Sequence, residues 1–483
     1  MKKKQFPVIP FAIIALILLT LGGSYICTKM LVGQQMDLAL DVLSMEDYQS
    51  VFLSMYDISN FNKEDFADYR GVPTLKLDIS LESAEDVNKA LDAVFSSGNQ
   101  ITNVYLGLDP LALWHSGKND IDNVQKTFES GWFSYADANP EITFEILFPF
   151  QSMDYWLSLE EGELQASLIL YQQLASILTS RSNITVYYAG GQEWLINNPA
   201  NYVNSYAANE LVSQKIFLLT FCDHALQITG RNAAEMMQQL SDQIAAHKEN
   251  PPVYPDLSQW DIVFMGDSII GNYKGSISVP GVVNGLSGAS VFNCAQGGVS
   301  AAEPEPGMMC FPKMAEDFVT GTVSDSETSF GEGLQEYLSA DHTDKKLCFI
   351  INFGLNDYFG GHAPENPDDK NDISTYAGAM RTGIAALKQK YPDATYVIVG
   401  PGQATYFSNG TELMSESGGQ LKDYYQLSVS LSKELNIPYL DLYQQFPEGD
   451  TDLTDVLADG CHYNEYGRYC LGIKIVKFMA DFQ

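Results

Sequence analysis

The chain has 483 residues, enough for two or three domains. Hydrophobic residues make up 45% and aromatics 12%, a composition that builds packed cores and excludes a disordered chain. With 61 acidic against 27 basic residues the net charge is −34, which repels phosphate backbones. General nucleic-acid binding is excluded on that ground, as is unaided adsorption to anionic lipid.

The N-terminus departs from this acidic character. Lys2, Lys3 and Lys4 precede an uncharged apolar run from Phe6 to about Cys27. Roughly 20 residues of this kind are long enough to cross a bilayer. Basic residues ahead of the run place the N-terminus inside and the rest outside. No small-x-small cleavage site follows, so a retained signal anchor is favoured over a cleaved signal peptide. Ser24-Tyr25-Ile26 is a poor lipobox, and Cys27 reads as an ordinary membrane residue. All 61 acidic residues lie after residue 28. The expectation is a single-pass protein of the cell membrane with its folded domains on the extracytoplasmic side.

Residues 29–58 read as a juxtamembrane, partly helical segment. Four apolar strand candidates follow, Thr74–Ile79, Asn103–Leu108, Ile142–Phe148 and Ile184–Tyr188, separated by helical stretches such as Ala84–Phe95 and Glu163–Thr179. This alternation implies βαβ units and a largely parallel sheet. Helical periodicity then runs from Ala207 to His247, broken near Gly230. The proline-rich stretch Glu249–Trp260 marks a domain boundary. Beyond it the strand candidates are Ile262–Met265, Ser290–Asn293, Leu347–Asn352, Tyr396–Val399 and Tyr439–Leu442. Helical patterns Tyr376–Lys390 and Leu421–Leu435 lie between the later ones, and the chain closes on a helix from about Glu465 to Phe482. Five strands with helices describe a doubly wound α/β domain, whose sites form at the carboxyl ends of the strands. The expected organisation is an anchor at 1–28, an α/β domain at 29–250, a linker at 251–258 and a second α/β domain at 259–483.

Four elements after those later strands carry chemistry. Met265-Gly266-Asp267-Ser268-Ile269 puts a serine on a tight strand-to-helix turn, where its N–H can face an oxyanion. Asn293-Cys294-Ala295-Gln296-Gly297-Gly298 supplies paired glycines whose N–H groups can donate. Gly354-Leu355-Asn356-Asp357 offers a side-chain amide at a strand terminus. Asp459-Gly460-Cys461-His462 holds a base and an orienting carboxylate on one loop, as an activated serine requires. Taken singly these read as a cap, turns and a helix entry. The seven cysteines show no CxxC pair and no Cys/His ligand spacing, so no structural zinc site is expected. Cys294 and Cys348 read as buried thiols, and any disulfide pairing stays open.

In their order and placement the four elements resemble the SGNH (GDSL-type) hydrolase family, over about Gln259–Gln483. The resemblance implies a flavodoxin-like five-stranded parallel sheet and serine-esterase chemistry without a cofactor or metal. It implies Ser268 as nucleophile, His462 as general base and Asp459 as its orienting partner. The oxyanion hole would then comprise Ser268, Gly298 and Asn356. Ile269 stands where the family's motif has leucine, a conservative departure. Glu303–Lys346 and Phe359–Asp372, the latter with His362, read as insertions that could wall the cleft. The expected substrate is an acylated glycan or small ester, with O-acetyl groups on carbohydrate the favoured class. The rival readings are an O-acyltransferase working with a membrane acyltransferase partner, and a non-catalytic glycan-binding scaffold.

Residues 29–250 show no complete catalytic set. His115 and His224 lack a serine partner, and Asn201–Ala207 has neither the Asp nor the His expected near a domain end. Gly107-Leu108-Asp109 is an echo of Gly354-Leu355-Asn356. Phe144–Trp156 is similar to a segment of membrane-anchored bacterial SGNH-like and polysaccharide-acylation proteins. The half is read either as a degenerate SGNH-like module or as an unrelated α/β domain, and a differing strand order would rule out the first.

Overall fold

In a computed structural model, the structure describes residue 43 and residues 47–56, 63–64, 67, 71–77, 79, 81–202, 227–229, 231–404, 420–449 and 451–482. The anchor expected at 1–28, His224 and the proposed helix before Gln227 lie outside these residues. Among the described residues, no helix is long and apolar enough to cross a membrane. The chain divides into two compact units. The first comprises Met1–Gly191 with Ser213–Ala245, the second Gln192–Val212 with Ala246–Gln483.

The first unit holds a six-stranded sheet of β1 (Ser50–Ser54), β2 (Thr74–Lys76), β3 (Asn103–Gly107), β4 (Thr143–Leu147), β5 (Ile184–Tyr187) and β6 (Gln227–Ile228). Its order is β2-β1-β3-β4-β5-β6, parallel except where β6 runs against β5. β1 is a strand that the reading of 29–58 as a partly helical segment did not include. Ser50-Val51-Phe52-Leu53-Ser54 is buried at every position, so it lacks the alternation that marks a half-exposed strand. Side chains crowd the carboxyl ends of these strands. Tyr56, after β1, packs on Phe52, Tyr105, Leu147 and Tyr187 and donates to the Leu147 carbonyl at 3.3 Å. Gly107 ends β3 so closely that a Cβ there would lie 2.2 Å from Ser54 Oγ. Asp109 caps the helix Pro110–Ser116 through the N–H groups of Leu111 and Ala112. Tyr171 and Tyr188 are fully buried with ring centroids 5.3 Å apart. Burial pushes the phenols of Tyr56, Tyr171 and Tyr188 well above their ordinary range.

The second unit holds five parallel strands, β7 (Trp260–Gly266), β8 (Ser290–Asn293), β9 (Lys346–Asn352), β10 (Thr395–Val399) and β11 (Tyr439–Leu440), in the order β11-β10-β9-β7-β8. Counted within each unit, the parallel strands of both sheets follow 2-1-3-4-5, the flavodoxin-like doubly wound order. The strand-order test therefore leaves the degenerate-module reading standing beside the alternative.

Successive strand residues face opposite sides of a sheet, and β9 shows both faces covered. Cys348 Sγ lies 3.9 Å from Met479 Sδ on the helix Glu465–Met479. Its neighbour Phe349 stacks edge-on to Phe318 of the helix Phe311–Thr320, with centroids 5.3 Å apart. That helix, with Ser329–Ser339, takes up about half of the span expected to be an insertion at 303–346. Phe311, Met314, Phe318, Phe330 and Leu334 are core residues, so the helical part of this span belongs to the core, and 303–310, 321–328 and 340–345 are its loops. Residues 192–202 belong to this unit, and Asn198 Nδ2 donates to Ser276 O at 3.1 Å.

Candidate active site

The register of the second sheet sets the site. Gly266 on β7 pairs with Asn352 on β9, and Phe264 pairs with Asn293 on β8. The strands thus end side by side, and the loops that follow converge. Asp267 caps the short helix Ser268–Gly271 by accepting from the Ile269 N–H at 2.9 Å. This fixes Ser268 at the head of the turn. Its side chain lies in a mostly buried position.

The β8 loop is tied to that turn at several points. Asn293 Nδ2 donates to Ile270 O at 3.3 Å and Tyr273 O at 3.1 Å. The Gln296 N–H donates to Gly266 O at 3.0 Å. A Cβ on Gly297 would come 3.7 Å from Ser268 Cβ, so this loop passes directly beside the serine. Gly298 has φ +80°, a left-handed conformation that a side chain would strain. After β9, two adjacent side chains grip the far part of the same loop. Asn356 Nδ2 donates to Val299 O at 3.1 Å. The Asp357 carboxylate accepts from Ala301 N–H at 2.9 Å and Ala302 N–H at 2.8 Å.

The last loop brings His462 to Ser268. Gly460 takes φ +91° and lets the chain turn back on itself. The Leu457–Tyr463 bridge and an N–H from Ala458 to His462 O at 2.8 Å close the turn. Asp459 Oδ1 accepts from the N–H groups of His462 at 2.8 Å and Cys461 at 3.1 Å. Asp459 Oδ2 lies 2.7 Å from His462 Nδ1, and His462 Nε2 lies 2.9 Å from Ser268 Oγ. Partial burial works to raise the Asp459 carboxyl, but the backbone and imidazole hydrogen bonds outweigh it and hold it down at about 2. Ionised Asp459 makes Nδ1 the protonated nitrogen. Nε2 is then free to accept from the serine hydroxyl.

Ser268, Asp459 and His462 thus form one hydrogen-bonded line, with Gly298 and Asn356 on and against the loop beside it. Sequence reasoning missed Asp357, whose only local signal was its place next to Asn356. It also passed over the buried pair that Asp357 makes with Asp267. Desolvation raises both carboxyls, and the charge of Asp357 adds to the cost of ionising Asp267, which sits at about 7. Cys461 was read only as one of several scattered cysteines. Its Sγ lies 3.4 Å from His462 Nδ1 and 3.5 Å from Asp459 Oδ1. Burial and the neighbouring carboxylate push this thiol up to about 12, so it stands beside the line as a neutral group and not as a nucleophile.

The two loops expected to wall the cleft are pinned to one another and to the core. The Glu303 N–H donates to Ile373 O at 2.8 Å. Arg381 holds the second loop through Lys370 O and Glu365, each at 2.8 Å, and Tyr424 donates its hydroxyl to His362 O. His115 of the first unit pairs with Asn119 Oδ1 at 3.1 Å. Ser50 and Ser54 on β1 are buried.

Residues 264–468 match the model of the GDSL-like Lipase/Acylhydrolase family. No curated protein matches the chain. Among solved structures, the carbohydrate acetylesterase Est24 from Sinorhizobium meliloti is 13% identical, covering 46% of this chain and 100% of its own, with a TM-score of 0.30. A possible lipase from Chitinophaga pinensis DSM 2588 is 16% identical, covering 46% and 98%, with a TM-score of 0.32. The salicylyl-acyltransferase SsfX3 of a tetracycline biosynthetic pathway is 14% identical, covering 46% and 55%, with a TM-score of 0.31. The chain carries, at residues 264–468, a domain of the GDSL-like lipase/acylhydrolase family.

Proposed function

We propose that the chain is a membrane-anchored, extracytoplasmic serine esterase that removes O-acyl groups, foremost O-acetyl, from carbohydrate. The observation that carries the chemistry is the line Ser268 Oγ, His462 Nε2, His462 Nδ1 and Asp459 Oδ2, with contacts of 2.9 and 2.7 Å. Ser268 Oγ attacks the acyl carbonyl while Nε2 takes its proton. Asp459 stays ionised and stabilises the imidazolium. The tetrahedral oxyanion is met by the Ser268 and Gly298 N–H groups and by Asn356. One Nδ2 hydrogen of Asn356 is held by Val299 O, which aims the amide and leaves its second hydrogen for the oxyanion. The imidazolium returns its proton to the departing sugar oxygen, and water then cleaves the acyl-serine by the same path in reverse.

Anchoring rests on the apolar run behind three lysines. The acid excess of the exported part favours a neutral glycan over an anionic one. The first unit, without a serine–histidine pair among its described residues, serves this reading as a non-catalytic module. The test is a serine-directed fluorophosphonate probe together with turnover of acetylated glycans by the full chain. Wild type labels and releases acetate, while Ser268→Ala folds and does neither. Labelling that survives in Ser268→Ala would overturn the nucleophile assignment. Acylated acceptor in place of free acetate would mark the acyltransferase reading.

A further inference from the structure

The loop that carries the base also carries three ligand types within reach of one another. Asp459, Cys461 and His462 each offer one atom, and these atoms lie within 4.8 Å of one another. The Sγ–Nδ1 separation is 3.4 Å, the Sγ–Oδ1 separation 3.5 Å and the Oδ2–Nδ1 separation 2.7 Å. Tetrahedral zinc with bonds of ~2.3 Å to sulfur and ~2.0–2.1 Å to nitrogen or oxygen sets its ligand atoms roughly 3.3–3.6 Å apart. Sγ already lies at that spacing from Nδ1 and from Oδ1, whereas Oδ2, the oxygen that meets Nδ1, sits about 0.6 Å inside it, so the carboxylate must turn to offer one oxygen to the cation. The set is Cys, His and carboxylate, a mixture that suits borderline-soft zinc better than magnesium or calcium. The Asp459 side chain is 42% exposed and His462 30% exposed, which gives a cation and its fourth, water ligand a way in. The sequence reading discounted zinc for want of paired-cysteine spacing. Here all three donors come from four consecutive residues folded back by Gly460.

We propose that Asp459, Cys461 and His462 form an inhibitory site for a zinc-class divalent cation, which switches off the serine by occupying His462 Nδ1. The proposal rests on the esterase reading for its consequence but not for the binding itself. The neutral imidazole carries one proton, held on Nδ1 by Asp459 in the free enzyme. Metal on Nδ1 leaves that proton on Nε2, the nitrogen that must accept from Ser268 Oγ. The thiol proton of Cys461 passes to solvent as the metal–sulfur bond forms. The zinc charge then balances one thiolate and one carboxylate. A metallated His462 donates to the serine where it should accept, so no proton can leave Oγ and the general base is lost.

The experiment uses the full chain, with zinc chloride and cobalt chloride as probes. Wild type should lose at least tenfold in turnover of a small acetyl ester in micromolar zinc and recover it on addition of EDTA. Cys461→Ala, which keeps the backbone N–H to Asp459, should retain metal-free turnover and need at least tenfold more zinc for the same loss. Cys461→Ser serves if the alanine variant fails to fold. Cobalt should give a thiolate charge-transfer band in the near ultraviolet with wild type and Ser268→Ala, absent from both Cys461 variants. Equal zinc sensitivity of wild type and the Cys461 variants would overturn the proposal, as would a cobalt spectrum with no band that depends on Cys461. If wild type shows no esterase turnover, the esterase reading fails by itself. The cobalt difference spectrum still decides the site.

Discussion

Asp267 lies fully buried next to Ser268, and its carboxyl is raised from 3.8 to about 7. A raised folded-state value means that the native protein holds this proton over a range in which the unfolded chain has lost it. Between about pH 4 and pH 7 the native state therefore binds more protons than the unfolded state. Stability falls as pH rises through that window and levels off above it. The shift of roughly three units corresponds to at most about 4 kcal/mol at ~1.36 kcal/mol per unit. Asp267→Asn keeps a side-chain oxygen for the Ile269 N–H, which donates at 2.9 Å, but cannot ionise. The variant differs from wild type by an offset at low pH, and the offset should then move in the variant's favour by up to ~4 kcal/mol from pH 4 to pH 8. Urea unfolding of both proteins at each pH measures the difference directly. The opposite trend, or a difference constant within ~0.5 kcal/mol across the range, would show that Asp267 ionises as easily in the fold as in the unfolded chain.

Other expectations follow from contacts around the same site. Asn356→Ala should lower kcat for an acetyl ester by ~10²–10³ with little change in KM, as the loss of one oxyanion donor does. Asp459→Asn no longer dictates the imidazole tautomer and should cost ~10²–10⁴ in kcat near neutral pH, read by steady-state kinetics. Gly472 lets the helix Glu465–Met479 approach the helix Val279–Ser287, and a Cβ there would lie 2.4 Å from Val282 Cγ1. Gly472→Ala should destabilise the second unit by ~1–3 kcal/mol, seen as a lower urea midpoint.

Much of the second unit was legible in the sequence because its strands are short apolar runs with turn chemistry after each. β7, β8, β9 and β10 fall within a residue or two of the expected segments, and Ser268, Asp459 and His462 stand together as the four-element pattern implied. β1 was not legible, because a strand buried on both faces close behind a long apolar terminus carries no period of its own. The helices inside 303–346 were hidden by Pro312, which a first turn tolerates, and by Gly331 and Gly333, which are poor helix formers. Asp267, Asp357 and Cys461 gain their character from burial and from partners far away in sequence or across a turn. Alanine amides 55 and 56 residues away hold Asp357, a relation that no local pattern encodes.

The ring of Tyr56 occupies the place in the first unit that a doubly wound sheet ordinarily leaves for a ligand, beside the point where strand order reverses between β1 and β3. A molecule seeking that crevice would first have to turn the ring out into water and break its bond to the Leu147 carbonyl. Exposing an aromatic side chain costs ~1.5 kcal/mol or more. That is about a tenfold handicap on any apparent affinity before the newcomer makes a contact. The two sheets share one wiring, yet the first fills its crevice with its own side chains where the second sets Ser268 against His462.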